Sequence, residues 1–350
     1  MLREDPVQPG LLYAGTEFGL YLSGDDGASW RHAQFGLPVT PITDLRIVGD
    51  DLVLSTMGRG FWIMDDLAPI RQWVAGAGSI EDGPHFFQPE PAFRTRDRSF
   101  QASPADPEYA DPGVRLHYGL SEETTDPVEL SIMGPDGELI RSWTNETSTG
   151  AEEAEQGMRG PGGRGMPSEG LDRTEGVHLF VWNMRYPGAE RPDGTRGEGP
   201  YAVPGSYTAT LSIGDWTAER NFEILPDPRA LEIGVTHGDM EEQLMFNLRL
   251  SDIMTDANRA LARIDRALEE TDDEQRRRAL QDLRSVLETD DEDSYPPPML
   301  ISQLSYLSSM TSGADQRPGR DAAVRLDELE EELGALIDQL DEMPGASSAE

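Results

Sequence analysis

The sequence predicts a multidomain fold that is mainly β, with α-helices in its C-terminal part. Up to about residue 225, short runs of β-branched and aromatic residues alternate with turn residues, which is typical of strands. After Pro226, Asp227 and Pro228, apolar residues recur every three or four positions, which is the period of a helix. The 36 Gly and 26 Pro among 350 residues also favour a turn-rich β protein over a compact α/β enzyme.

The first predicted element is a hairpin whose turn is the octapeptide Ser-Gly-Asp-Asp-Gly-Ala-Ser-Trp, ending at Trp30. Ser23 and Asp25 have side chains that hydrogen-bond the backbone of a turn. Gly27 can adopt the positive φ that a tight turn requires. Ser29 completes the polar pattern, and Trp30 is expected to lead the chain back into a strand as a large apolar plug.

A second copy of this strand-turn-strand pattern follows at a spacing of about 40 residues, which is the spacing of β-propeller blades. It covers residues 42–64, and Asp65 and Asp66 stand where the octapeptide would recur. Residues 1–70 are therefore predicted to form about one and a half blades. Because a propeller closes with four or more blades and a lone blade leaves bare sheet edges, we expect a C-terminal piece of a longer protein or a truncated gene model, whose missing blades are its partner.

Three further regions are predicted after the blades. A Pro-rich linker is expected to be ordered by its phenylalanines, and a β-sandwich of six or seven short strands carries a mobile Gly-rich insertion at 146–170. Four amphipathic helices then form an antiparallel bundle. The predicted bounds are 71–112 for the linker, with Phe86, Phe87, Phe93 and Phe100, 113–226 for the sandwich and 227–345 for the bundle.

The charge of the chain excludes two classes of partner. It has 66 acidic residues against 29 basic ones, all of them Arg, and a net charge of −37. Such a surface repels nucleic acid and anionic lipid. The sequence also contains no Cys, no histidine pair with metal-ligand spacing and no apolar run of membrane-spanning length, and its first residues lack the apolar core of a signal peptide. No metal, cofactor or membrane span is therefore predicted.

Four residues of the second repeat are the candidates for ligand contact. Asp65 and Asp66 follow a strand beside Trp62, which suits a carboxylate pair next to a sugar platform. Neighbouring residues of a strand point to opposite faces, however, so a turn is the stronger interpretation. Arg59 lies between two glycines and is either a contact at a propeller mouth or a structural arginine that binds loop carbonyls.

The octapeptide resembles the Asp-box of the bacterial neuraminidase repeat (BNR), and the segments 13–17, 50–63 and 176–187 resemble landmarks of exported BNR or sortilin-like propeller proteins. This resemblance implies that Ser23, Asp25, Gly27, Ser29 and Trp30 are structural and that the protein is extracytoplasmic. Such proteins are often labelled glycosyl hydrolases, but the catalytic residues of those enzymes lie on loops of blades absent from this sequence. No catalytic residue is therefore carried over.

The predicted sandwich resembles the Ig-like domain of flagellar hook-capping proteins. The shared features are a Pro-Asp-Gly hairpin at 135–137, a Phe-x-Trp-Asn strand at 180–183 and Pro-Gly-Ser-Tyr at 204–207. The predicted function is a non-catalytic binding or scaffolding role with a glycan or protein ligand. The alternatives are an accessory part of a glycoside hydrolase of the sialidase or xyloglucanase type and a sortilin-like receptor for peptides.

Overall fold

The computed structural model has a mixed β and α fold, which confirms the coarse prediction from the sequence. Strands form most of the first part of the chain, and helices follow from residue 228 onward. None of the helices in the described part of the chain is both long and apolar enough to cross a bilayer. The described residues are 1–76, 83–96, 110–145, 170–288 and 297–343.

The chain forms two compact units, and each unit is assembled from separate stretches of sequence. This division differs from the predicted boundaries. Residues 184–204 of the predicted sandwich and residues 93–96 of the predicted linker belong to the unit that contains the C-terminal helices. The first unit contains Met1–Ala92, Asp97–Asn183 and Gly205–Ile224, and the second contains Phe93–Arg96, Met184–Pro204 and Leu225–Glu350.

Two antiparallel sheets open the first unit, and a common apolar core lies between them. Tyr13, Leu20, Leu45 and Leu52 are almost fully buried in this core, as the period-2 alternation of the strands requires. The four-stranded sheet has the order β1 (Leu2–Glu4), β2 (Leu12–Thr16), β3 (Gly19–Ser23) and β4 (Arg31–His32), and the three-stranded sheet has the order β5 (Ile42–Val48), β6 (Asp51–Thr56) and β7 (Phe61–Met64).

A buried ion pair fastens helix α1 (Ala68–Val74) to these sheets. The Arg71 Nε lies 3.1 Å from both carboxylate oxygens of Asp5, and its Nη1 donates to Asp50 at 2.5 Å. Burial alone would raise the pKa of Asp5, but hydrogen bonds from the backbone of Gln8 and Val7, from Arg71 and from Tyr13 together hold that pKa below its ordinary value. Asp5 is therefore an ionised group with all its oxygens satisfied.

The predicted Pro-rich linker contains the end of one helix and two short strands. Helix α1 runs into it, because Pro69 fits the first turn of a helix. Two short strands, β8 (His85–Phe86) and β9 (Ala92–Phe93), then add to sheets, which satisfies their backbone groups. Among the expected anchors, Phe86 and Phe87 are buried, Phe93 is half exposed, and Phe100 lies outside the described residues.

Two larger sheets complete the first unit, and an aromatic cluster fills part of their core. Trp182 lies with its ring centroid 5.7 Å from that of Tyr207 and 6.1 Å from that of Phe222. The insertion 146–170 falls almost entirely outside the described residues. The sheet orders are β13-β10-β8 and β12-β11-β16-β17-β9, with β10 (Val114–Leu120), β11 (Val128–Met133), β12 (Leu139–Thr144), β13 (Gly176–Trp182), β16 (Gly205–Ile213) and β17 (Trp216–Leu225).

The second unit combines a β-hairpin with five helices. The hairpin consists of β14 (Arg185–Glu190) and β15 (Arg196–Tyr201), which pair with each other alone. It belongs to this unit because Glu190 bonds to a helix: its N–H donates to Thr255 Oγ1 at 3.0 Å, and its carbonyl accepts from Asn258 Nδ2 at 2.6 Å. The helices are α2 (Pro228–Glu232), α3 (His237–Glu270), α4 (Glu274–Leu287), α5 (Leu300–Ser312) and α6 (Arg320–Asp341).

Four of these helices share one apolar core, which is built from residues at three- and four-residue spacing. The N-cap of helix α4 is Asp273, whose carboxylate accepts from the backbone N–H groups of Gln275 and Arg276. The buried leucines and isoleucines include Leu250, Ile253, Leu261, Ile264, Leu280, Leu283, Leu287, Leu300, Leu304, Leu307, Leu326, Leu329, Leu333, Leu336 and Leu340.

Replacing Arg71 is expected to destabilise the protein much more than replacing an exposed arginine. Arg71→Met leaves the buried Asp5 carboxylate without its cation, and breaking a buried pair in this way costs about 3 kcal/mol or more. Arg3→Met removes an exposed pair with Asp44, which is worth less than about 1 kcal/mol. Urea unfolding followed by tryptophan fluorescence measures both changes, and equal losses would contradict the structural role of Arg71.

Candidate functional site

The octapeptide forms a turn that its own side chains hold together. The Ser23 hydroxyl donates to Asp25 Oδ1 at 2.8 Å and accepts from the Gly27 N–H at 2.9 Å. The Asp25 carboxylate accepts from the Ser29 N–H at 2.8 Å and from the Ser29 hydroxyl at 2.6 Å. Gly27 has a φ of 86°, in the left-handed region that glycine enters at no steric cost.

Trp30 does not act as the expected apolar plug. Its side chain is 40% exposed, because the chain enters the short strand β4 at an outer position of the sheet. The turn residues around it are also mostly exposed. The octapeptide is therefore a rigid surface turn in this structure.

The four candidate contacts of the second repeat lie close in sequence but do not form a shared site. Arg59 is exposed, and its carbonyl accepts from the Trp62 Nε1 at 3.1 Å. Asp66 is buried at the start of α1, where Oδ1 accepts from the Ala68 N–H at 2.9 Å. Burial raises the pKa of Asp65; Arg115 opposes that shift.

The buried Asp66 has a second structural partner in the same unit. Its Oδ2 lies 3.3 Å from the Nδ1 of His117, a residue of β10. Burial lowers the pKa of His117, and the Asp66 carboxylate opposes that shift. Both carboxylate oxygens of Asp66 therefore have partners, and its backbone has a left-handed φ of 64°. These contacts indicate that Asp66 stabilises the start of helix α1 and is not a reacting group.

The second unit contains a cleft of about 520 Å³ between the hairpin β14–β15 and the helices α3 and α5. Its lining combines guanidinium, carboxylate, hydroxyl and amide groups with apolar side chains. The polar lining residues are Arg185, Arg191, Glu198, Asn247, Ser251, Asn258, Ser305, Ser308, Ser309 and Ser312.

The hairpin wall of the cleft is shaped by a five-residue turn. The Arg191 N–H donates to the Thr195 carbonyl at 2.7 Å, and the Gly194 N–H donates back to the Arg191 carbonyl at 2.9 Å. Pro192 fits an early position of such a turn, and Gly194 has the positive φ, 82°, that its end requires. The turn therefore fixes Arg191 at one side of the cleft.

The helical wall is held by side chains that satisfy the last carbonyl groups of α5. The Gln243 amide donates to the carbonyls of Thr311, at 2.6 Å, and Ala314, at 2.7 Å. The Thr311 hydroxyl donates to Asn247 Oδ1 at 2.6 Å. Since the end of a helix leaves carbonyls without intrahelical partners, these buried amides fix α5 against α3.

Serines form one face of α5 along the cleft. Ser305, Ser308 and Ser312 are three to four positions apart, which places them on one side of a helix. The hydroxyls of Ser305 and Ser308 make no hydrogen bond to another residue of the described ranges. The cleft therefore offers hydroxyl donors and acceptors along its length.

An adjoining small pocket contains a cluster of three arginines around Tyr201. The guanidinium carbons of Arg94, Arg96 and Arg185 lie 5.5, 5.1 and 3.8 Å from the centre of the Tyr201 ring. Arg94 is 2% exposed, donates to the Ala202 carbonyl at 2.7 Å and pairs with Asp315. Burial lowers the pKa of Arg94, and Asp315 opposes that shift.

The charge of this region is opposite to that of the chain as a whole. Four arginines and one glutamate line the cleft and its adjoining pocket, whereas acidic residues outnumber basic ones more than twofold in the sequence. The side chain of Glu198 places its Oε2 3.3 Å from the Arg185 Nε. The cleft is thus suited to polar ligands that carry a hydrogen-bond acceptor or a negative charge.

In the described ranges, no group of three or more His, Asp or Glu side chains is arranged to hold a metal ion. Comparison of the chain with protein-family models, curated proteins and solved structures found no match. The candidate site therefore rests on its own geometry.

No pattern in the sequence predicted this site, although one local signal for its hairpin wall was present. The tripeptide Pro-Asp-Gly was interpreted as a hairpin turn at 135–137, and it recurs at 192–194, where the hairpin beside the cleft turns. The serines of α5 gave no signal of their own. The spacing of the leucines predicts the helix, and serines on its more exposed side are not distinctive. The partners of Arg94 lie more than 100 residues away in the sequence.

Asp25 is expected to titrate well below an ordinary aspartate. Hydrogen bonds from the Ser29 side chain and backbone and from Ser23 lower the pKa of Asp25 to about 2. Because the folded-state pKa is depressed, the stabilisation is complete above the unfolded pKa near 4 and is lost as the pH falls through about 2. Carbon-detected NMR titration of the carboxyl group measures this value.

Asp25→Asn should therefore be less stable than the wild type at pH 7, with a gap that narrows as the pH falls towards 2. Asp26→Asn is the matched control, because Asp26 is exposed, has a left-handed φ of 57° that Asn tolerates and makes no side-chain hydrogen bond to the described residues. A midpoint for Asp25 near 4, or equal effects of the two variants, would contradict the structure.

Proposed function

We propose that this protein is a non-catalytic binding or scaffolding part of an extracytoplasmic protein of the BNR-repeat propeller type, with a glycan or protein segment as its ligand. Two features support the propeller assignment: the hydrogen bonds that the Asp25 carboxylate accepts from Ser23 and Ser29 in the octapeptide turn, and the two antiparallel sheets of residues 1–70. In the same proposal, the two sheets built on β10 and β16 are an Ig-like sandwich, and helices α3–α6 are an antiparallel bundle.

The proposed binding role is based on one observation, the cleft of the second unit. Its volume of about 520 Å³ falls within the range of about 300–1,000 Å³ for small-molecule sites. Its helical wall is fixed by the buried hydrogen bond that Gln243 donates to the Thr311 carbonyl and by the one that Asn247 accepts from the Thr311 hydroxyl, so that the site is formed before a ligand arrives.

The composition of the cleft supports a non-catalytic role. A glycosidase requires two carboxylates on either side of the bond to be cleaved, and Glu198 is the single carboxylate of the lining. The sequence-predicted pair Asp65 and Asp66 lies elsewhere, and Asp66 is occupied by His117 and the start of α1. These contacts favour binding over the hydrolase alternative.

Filling the cleft tests this proposal. Ser308→Trp places a large ring in the cleft, and Ser285→Trp is the matched control on the exposed face of α4. The full chain, labelled fluorescently, is applied to a glycan array and a peptide array. We expect at least one ligand class that the wild type and Ser285→Trp retain and that Ser308→Trp loses by tenfold or more. Retention of the same ligands by Ser308→Trp, or no ligand for the wild type, would overturn the proposal.

A further inference from the structure

We infer that the cleft recognises a hydroxylated small molecule or glycan unit through an oxyanion group, which is a carboxylate, a sulfate or a phosphate. This inference rests on the proposed binding function and names the chemistry of the ligand. It follows from the charge of the lining, the state of two arginines and the hydroxyl groups of α5.

The sign of the local charge is the first argument. The long-range field of a chain with net charge −37 repels anions, so an anion is retained only where cations are concentrated locally. The cleft and its adjoining pocket supply that concentration, with Arg94, Arg96, Arg185 and Arg191 in the lining. Arg94 and Arg96 share the single counterion Asp315, which leaves one excess positive charge in that cluster. Arg185 is paired with Glu198, so the second excess positive charge lies with Arg191.

Arg191 is the residue most suited to meet the oxyanion. Among the described residues, no carboxylate lies within ion-pair distance of its guanidinium, and its one side-chain hydrogen bond is a long 3.4 Å contact to Thr195 Oγ1. The nearby Asp193 carboxylate is already bonded to the Thr195 N–H at 2.9 Å and to the Thr195 hydroxyl at 2.6 Å. The fork of the Arg191 guanidinium therefore remains for a planar or tetrahedral oxyanion.

Arg185 is the second cation, and Glu198 competes with the ligand for it. The Arg185 Nη1 donates to the Gly199 carbonyl at 2.9 Å, and its plane lies over Tyr201, so the side chain is already oriented. The Glu198 carboxylate near its Nε is almost half exposed and can be displaced by an anion that enters the cleft. Removal of the Glu198 charge should therefore strengthen binding of an anion.

The hydroxyl and amide groups select the rest of the ligand. Ser305, Ser308 and Ser312 follow one face of α5, and Asn247 and Asn258 lie across from them on α3. Each serine hydroxyl both donates and accepts, which matches the hydroxyl groups of a sugar or polyol. An oxyanion at the arginine end and hydroxyls along the serine face thus describe one ligand class.

Calorimetric titration of the full chain with four probes tests this inference. The probes are glucuronate, glucose 6-sulfate and glucose 6-phosphate, with glucose as the neutral counterpart. We expect at least one anionic probe to bind about tenfold or more tighter than glucose, and its affinity to fall as the ionic strength rises. The strongest probe identifies which oxyanion the cleft prefers.

Two variants should change that affinity in opposite directions. Arg191→Ala should weaken the anionic probe by about tenfold, because it removes a charge-assisted hydrogen bond. Glu198→Gln should strengthen it several-fold, because it removes the competing carboxylate while preserving shape. A general loss of structure cannot produce this opposition. Arg278→Ala, which removes an exposed arginine of α4, is the control and should leave the affinity unchanged.

The outcomes separate this inference from the proposed function. Equal binding of glucose and the anionic probes, no binding of any anionic probe, or a loss of affinity in Glu198→Gln would overturn the anionic ligand. A ligand lost from the arrays in Ser308→Trp would still support a binding cleft in each of those cases.

Discussion

The cleft depends on a buried cluster of arginines that is satisfied from widely separated parts of the chain. Arg94 is almost completely buried and binds the Ala202 carbonyl and Asp315, while Arg96 binds Asp315 and the carbonyl of Ser312, the last residue of α5. A buried guanidinium is tolerated only where its donors are matched, so the segments that carry its acceptors must stay in place. Residues 93–96, the hairpin and α5 are fixed to one another in this way.

The same device appears in the first unit, where Arg71 joins Asp5 and Asp50 under helix α1. Because the sequence contains no lysine, arginine supplies the buried cation in both units. Its planar guanidinium binds several acceptors at once. Buried pairs of this kind add little net stability compared with apolar contacts, but they allow one arrangement of the segments and penalise others. Their value here is the positioning of sheet, hairpin and helix.

The chain as a whole is acidic, whereas the cleft is lined by arginines. Many surface arginines of the described residues are paired with carboxylates, and such exposed pairs contribute little energy. The four arginines of the cleft and its adjoining pocket share two partner carboxylates, Asp315 and Glu198, so that the region stands out against an acidic background. In the proposed binding role, the acidic surface repels small anions and the arginines of the cleft attract them.

The sequence by itself determined the local elements, because their signals are local: strand alternation, the side-chain bonds of the octapeptide turn and the leucine stripes of the helices. It did not reveal which strands share a sheet, that β14 and β15 belong with the helices, or that Trp30 stays exposed. The candidate site was decided by tertiary structure alone. Arg94 and Asp315 are 221 residues apart, and no periodicity in a sequence records a contact at that separation.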